Sequence, residues 1–363
     1  MLPLLVVEAL TTVFATPRGP LRAVDGVSLS LAAGEALGIV GESGSGKSAL
    51  VRTIMNLLPH SAQVAEESRI LFDGTDIRRL PPRQARRLWG AEIAMVFQDP
   101  MTSLNPVRTL GQQISDPLRF HLGLSRSAAR ARAVELLTQV GITDPAHRVR
   151  QYPHELSGGM RQRAMIAVAL SCSPRLLIAD EPTTALDVTV QKEILDLLTN
   201  LRRELGMALI LISHDLNIVA HRTDRTVVMY AGRAVETAKT ATLFATTRHP
   251  YTAALLRSVP RIDERSHTRL EVIPGTAPDL VNPPRGCRFA PRCSHAQPRC
   301  LEVEPELSSD HTGDPQHRVA CHYPVGTRPG DRALAENMAR QRTAAGLDLT
   351  AVAAGRDIDE VRV

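Results

Sequence analysis

Lysine is nearly missing from this chain. Of 43 basic residues only Lys47, Lys192 and Lys239 are lysines, so a lysine at a motif position carries weight. No stretch approaches 18 consecutive apolar residues, which argues against a membrane-spanning helix. The opening MLPLLVVEAL has no basic segment ahead of its apolar run and reaches Glu8 too soon for a secretory signal, so it reads as a first strand. The chain is therefore expected in the cytoplasm. In that compartment its five cysteines argue against structural disulfides and for thiols, metal or cluster ligation. Internal repeats are absent. Collagen, coiled coil and wholesale disorder are excluded by 43% apolar and 22% charged residues. A net charge of +5 over 363 residues is too dilute to name an anionic partner.

What is present suggests two to three units, at about 150 residues per domain. Residues 4 to 40 are β-rich, and EALGIV runs straight into a Gly-rich loop. Asp73-Gly74 and Ala231-Gly232 mark hairpins. Residues 112 to 171 are mostly helical by pattern, with a break around 151 to 153. RLLIAD and MALILIS read as buried strands flanking a helix over 188 to 205, a βαβ rhythm that implies a parallel sheet. The expected architecture is an α/β P-loop core with an antiparallel β-subdomain and a helical subdomain at about 100 to 165. It spans residues 1 to 260, followed by a Cys-rich extension over 261 to 330 and a mobile tail over 331 to 363.

GESGSGKS fits G-x-x-x-x-G-K-[ST] between a strand and a helix. Gly41, Glu42, Ser43, Gly44, Ser45 and Gly46 would turn their N–H groups inward as an anion nest, and the helix opening at Lys47, Ser48 and Ala49 adds positive potential. Lys47 would reach the β- and γ-phosphates, and Ser48 would ligate Mg²⁺. LLIADEP ends a buried strand on Asp180, placed to hold Mg²⁺, and Glu181, placed to polarise water. In LSGGMRQR, Ser157, Gly158 and Gly159 make a second anion-binding helix start. Two such starts in one chain make sense if each grips a different end of one nucleotide.

At this point the sequence resembles the ATP-binding cassette family over about residues 4 to 260, with Met160 in place of the signature glutamine. Its other motifs follow in family order: Gln98 in MVFQDP, Thr184-Ala185-Leu186-Asp187 as the D-loop, and His214 in LISHD. The resemblance implies that two cassettes pair head to tail, so that the signature of one faces the P-loop of the other across ATP. It implies that Asp187 lies at that junction and that His214 contacts the γ-phosphate and holds Glu181. Gln98 would sense Mg²⁺ and transmit closure to a membrane partner. Phe14, the one aromatic before the P-loop, is the candidate to stack on adenine. FQDPMTSLNPVRTLGQQI, YPHELSGGMRQRAMIAVAL and HPYTAALLRSVP are similar to dipeptide/oligopeptide (and nickel) importer ATP-binding subunits of the first type. That implies an ATPase driving import of di- or oligopeptides from the cytoplasmic face. The partners implied are a second, different cassette subunit, two permeases and an extracytoplasmic binding protein, without nucleic acid. A nickel importer, a soluble cassette ATPase acting on nucleic acid or ribosomes, and a redox-sensing binding protein stay open.

Cys287, Cys293, Cys300 and Cys321 lie within 35 residues of an otherwise Cys-poor chain, without a C-x-x-C knuckle. A [4Fe–4S] cluster is the expected occupant, zinc the second, and reduced thiols in a Pro-rich cap the third. His295, His317 and His322 are expected to be solvated, and Arg285, Arg288, Arg292 and Arg299 to stabilise thiolates or form a polar surface. Cys172, outside the group, reads as a small core residue.

Overall fold

The computed structural model describes residues 3–184, 186–258, 273–309 and 314–350. The expected boundary near 260, Ala185 of the D-loop and residues 351–363 lie outside them. In chain order, β1 (Leu5–Thr16) and β2 (Gly19–Leu31) pair antiparallel. β3 (Ala36–Val40) feeds α1 (Lys47–Ile54) through the Gly-rich loop. β4 (Ala62–Val64) and β5 (Arg69–Phe72) join β1, and β6 (Thr75–Asp76) joins β5. The β5–β6 turn has Asp73 and Gly74 at φ 49° and 77°, the left-handed pair that Asp-Gly supplies at little cost.

α2 (Pro82–Leu88) leads to β7 (Ile93–Val96), and a helical layer follows: α3 (Pro100–Ser103), α4 (Leu110–Leu122), α5 (Arg126–Gln139), α6 (Pro145–Arg148) and α7 (Gly158–Leu170). Next come β8 (Leu176–Asp180), α8 (Val188–Leu205), β9 (Ala208–Ser213), α9 (Leu216–Ala220) and β10 (Arg225–Tyr230). β11 (Arg233–Lys239), α10 (Thr240–Ala245) and α11 (Pro250–Arg257) complete the part that motif reading covers. The extension supplies α12 (Pro298–Glu302), β12 (Ser308–Ser309), β13 (Arg318–Val319) and α13 (Arg328–Arg340).

The second sheet runs β12-β13-β11-β10-β3-β9-β8-β7. β10, β3, β9, β8 and β7 are mutually parallel. Every residue of β3, β8 and β9 is buried, which explains their unbroken apolar runs: a parallel strand covered on both faces has no polar side to alternate with. Parallel strands present their carboxyl ends along one edge. The loops after β3, β7, β8 and β9 therefore converge there, where α/β sheets bind ligands.

Among the described residues the extension has no core of its own. Phe289 packs on Tyr230 and Tyr251 with ring centroids 5.2 and 5.3 Å apart, inside the core cluster that also holds Leu177 and Leu211. β13 continues the main sheet by pairing with β11. Buried Arg288 binds buried Asp25 of β2. Burying such a ring is worth about 2–3 kcal/mol, so a segment without periodicity gains order by borrowing apolar surface already present. Nor does a mobile tail begin at 331. α13 is capped by the Thr327 hydroxyl. Its buried Asn337 accepts from Gln297 Nε2 at 3.1 Å and donates to the carbonyls of Ser294 and Ala296 at 2.8 and 3.1 Å.

Candidate nucleotide site

The loop between β3 and α1 is shaped by glycines with positive φ, 155° at Gly41 and 101° at Gly46. A Cβ on Gly41 would lie 2.1 Å from the Met229 carbonyl oxygen, and one on Gly46 would lie 2.2 Å from that of Ala23. The loop is thus pressed onto backbone from β10 and β2, and only glycine fits at either point. Lys47 is 4% exposed. Its ammonium donates to the carbonyls of Gly41 (2.7 Å) and Glu42 (2.9 Å) and approaches Ser45 Oγ at 3.5 Å. Burial lowers its pKa, while Glu181, Asp180 and Glu42 pull it back up. Among the described residues it has no ion-pair partner within 4 Å. A buried cation satisfied only by neutral oxygens, beside unpaired helix N–H groups, is built to receive an anion.

Asp180 ends β8, 1% exposed. Its Oδ1 accepts from Ser48 Oγ at 2.9 Å. Burial pushes this carboxyl up, and the Ser48 bond and Arg52 oppose the push. Two hard oxygen donors at a phosphate site suit Mg²⁺, which would restore the charge balance of the buried carboxylate. Glu181 follows with φ 45°, a strained backbone of the kind that persists at functional sites. Its Oε2 gathers three neighbours: Gln98 Nε2 donates at 3.2 Å, Thr184 Oγ1 at 3.1 Å, and His214 Nδ1 lies at 3.3 Å. Residues 98, 180, 181 and 214, scattered over the sequence, thus meet Lys47 and Ser48 at one sheet edge. Thr184 was read in the sequence only as the first residue of the D-loop; its position three residues after Glu181, on the returning turn, was the available signal for its contact with that carboxylate.

Ser157 caps α7 by accepting from Met160 N at 3.3 Å, and Asp187 caps α8 by accepting from Val190 N at 3.0 Å. Gly158 and Gly159 face Leu186 and Val190. Among the described residues no hydrogen bond or ion pair joins this signature segment to residues 41–48. Phe14 sits half-buried on β1 between Leu21 of β2 and Ala62 of β4.

An ABC transporter family model matches residues 24–184, and a model described as the oligopeptide/dipeptide transporter C-terminal region matches 235–300. The chain is 49% identical over 322 residues to the dipeptide transport ATP-binding protein DppD of Escherichia coli, covering 89% of this chain and 97% of that one. The chain belongs to the ATP-binding cassette family. The Haemophilus influenzae DppD is also 49% identical over 322 residues, covering 89% of this chain and 96% of that one. Among solved structures, the dimeric cassette MJ0796 in a post-hydrolysis state with ADP and Pi superimposes with TM-score 0.59 at 28% identity. It covers 65% of this chain and 98% of the cassette. As a member of this family the chain is an ATPase.

In the cassette's extension, Cys287, Cys293, Cys300 and Cys321 all line one cavity of about 10 Å³, together with His249, His295 and His322. Burial, reinforced by the neighbouring thiols, lifts Cys287 to about 11 and raises Cys293 and Cys321 well above the ordinary thiol value as well. Four thiols on one cavity are the donor type of a thiolate-bound centre, but burial holds them neutral and the spacing as it stands does not fit such a centre. Among the described residues no three His, Cys, Asp or Glu side chains are placed to hold a metal ion, and the cavity is the size of a water. Two of the three histidines are not solvated as expected: His295 and His317 are buried, and His317 Nε2 lies 2.8 Å from the buried carboxylate of Glu236. Arg288 and Arg292 do not serve the thiols either. They bind Asp25 and Glu42.

Proposed function

We propose that the chain is the ATP-hydrolysing subunit of an importer of dipeptides or oligopeptides, working on the cytoplasmic face of the membrane with two permeases, a second, different cassette and an extracytoplasmic binding protein. The observation that carries this is likeness across nearly the whole chain, extension included, to proteins named for dipeptide transport. No helix among the described residues is long and apolar enough to cross a membrane, so permeation falls to other chains.

ATP would lie with its phosphates over Gly41–Ser48. Lys47 and the α1 N-terminus balance the charge that spreads over the γ-phosphoryl oxygens in the transition state, and Ser48 with Asp180 would hold Mg²⁺. Glu181 accepts a proton from the attacking water, with His214 and Gln98 fixing its carboxylate from two sides. Ser157, Gly158 and Gly159 would close over ATP held by the other cassette, with Asp187 beside that junction, and Phe14 would stack on adenine. Opening and closing of the pair drives the permeases.

We propose the four cysteines as the ligand set of a [4Fe–4S] centre, with zinc the alternative, against a spacing that does not hold one as it stands. Their convergence on one cavity supports it, and iron, zinc and sulfide analysis of anaerobically purified chain tests it. For the transport reading, the chain should co-purify with two permeases from solubilised membranes, and its ATPase in that assembly should rise with dipeptide and binding protein. Stimulation by nickel and not by peptide would replace the substrate, and absence of permeases would overturn the importer.

A further inference from the structure

The extension reaches the phosphate loop itself. Arg292 is 6% exposed. Its guanidinium donates to both carboxylate oxygens of Glu42, Nη1 at 2.7 Å and Nη2 at 3.0 Å. The same group donates to the Tyr230 hydroxyl at 3.2 Å and to the carbonyls of Pro274 and Ile273 at 2.8 and 3.3 Å. It also lies over the Tyr230 ring, 5.9 Å from the centroid. Glu42 is fixed from the other side too, since its backbone N–H donates to the Tyr251 hydroxyl at 2.7 Å. Glu42 directly follows Gly41, and its carbonyl receives the Lys47 ammonium.

A carboxylate at this position is a puzzle for a loop that must bind a polyanion. Left free, it would repel phosphates and compete for Lys47. We propose that Arg292 is a positioning residue for ATP binding: its bidentate grip neutralises Glu42 and turns it away from the phosphates, while Tyr251 pins the same residue's backbone. A guanidinium fork suits this task because it fixes direction as well as charge. The extension is therefore part of the nucleotide site, although among the described residues no hydrogen bond joins it to the loop's glycines or to Lys47. This inference rests on reading Gly41–Ser48 as the phosphate site.

The test uses the full-length chain, alone for ATP affinity and in the permease assembly for kinetics. Arg292→Met should weaken ATP binding and raise KM for ATP about tenfold, the middle of the range for coupled contacting residues, with kcat within twofold. Adding Glu42→Gln to Arg292→Met should recover most of that loss, because the uncompensated carboxylate is then gone. A purely structural role for Arg292 in folding the extension would gain nothing from that second change. Should Arg292→Met fold poorly, Arg292→Lys keeps the charge and loses the fork. It should raise KM about threefold, on the same scale of coupling, again reversed by Glu42→Gln. Wild-type KM in the Arg292 variants, or no recovery in the double variants, overturns the proposal. Failure of the phosphate-site reading would look different: Lys47→Ala would then bind ATP like the parent.

Discussion

Gly46→Ala puts the shape of the phosphate loop to a direct test, with Gly44→Ala as its control. Both glycines hold positive φ, 101° and 78°, so alanine is strained at either, by about 1–2 kcal/mol. Their surroundings differ. At Gly44 an added Cβ meets no heavy atom within 4 Å, whereas at Gly46 it falls 2.2 Å from the Ala23 carbonyl oxygen and 3.3 Å from Gly232 Cα. Relief requires backbone movement of about 1 Å, because carbon–oxygen contacts settle near 3.3 Å. Neither neighbour yields easily: Ala23 belongs to β2, which pairs along β1, and Gly232 N donates to the Ser45 carbonyl at 2.9 Å. Overpacking of this kind adds about 1–3 kcal/mol. Gly46→Ala should therefore lose about 2–5 kcal/mol of unfolding free energy against about 1–2 for Gly44→Ala. Urea unfolding of the nucleotide-free chain, followed by circular dichroism, reads the difference. The movement also displaces the start of α1, so Gly46→Ala should lose ATP binding. Equal stability losses in the two variants would refute the steric reasoning.

Two further outcomes follow from the same geometry. Burial, with His295 adding to it and Glu236 and the Ala320 carbonyl opposing, holds His249 near 4 against an ordinary 6.5. The unfolded chain takes up a proton between those values that the folded chain refuses. Stability is therefore complete above about pH 7 and falls with pH, by about 3 kcal/mol at pH 4; unfolding free energy against pH should be flatter in His249→Asn. Gly158→Asp should leave ATP binding to the isolated chain intact and abolish ATP-driven pairing of cassettes, measured by light scattering; equal loss of ATP affinity in the isolated chain would place the signature at its own nucleotide.

The gathering of Lys47, Ser48, Asp180, Glu181 and His214 at one sheet edge was legible because each of its parts is local. GESGSGKS, LLIADEP and LISHD each combine a wholly buried strand with the loop that follows, and the parallel sheet does the gathering. The hairpins at Asp73-Gly74 and Ala231-Gly232 were legible for the same reason, since positive φ is written in the dipeptide. The extension was not. Its order comes from surfaces that belong to distant residues: Phe289 needs Tyr230 and Tyr251, Arg288 needs Asp25, and Arg292 needs Glu42. An arginine beside a cysteine reads as a thiolate partner until the fold shows a carboxylate nearer. α13 shows the same limit, because it lies where the sequence reads as a mobile tail, and the polar lock at Asn337 that orders it is tertiary.

The central claim, that this chain hydrolyses ATP through Glu181, is tested most directly by Glu181→Gln in the assembled transporter. Gln keeps the size of the side chain and can still meet Gln98 and His214, so the fold and the phosphate loop stay as they are. What it loses is the capacity to take a proton from water, a contribution of about 100- to 10,000-fold. Phosphate release per turnover should fall by that factor, while ATP affinity stays within about twofold, since uniform binding is untouched. Phosphate release at the parent rate, in an assembly that binds ATP normally, would contradict the account.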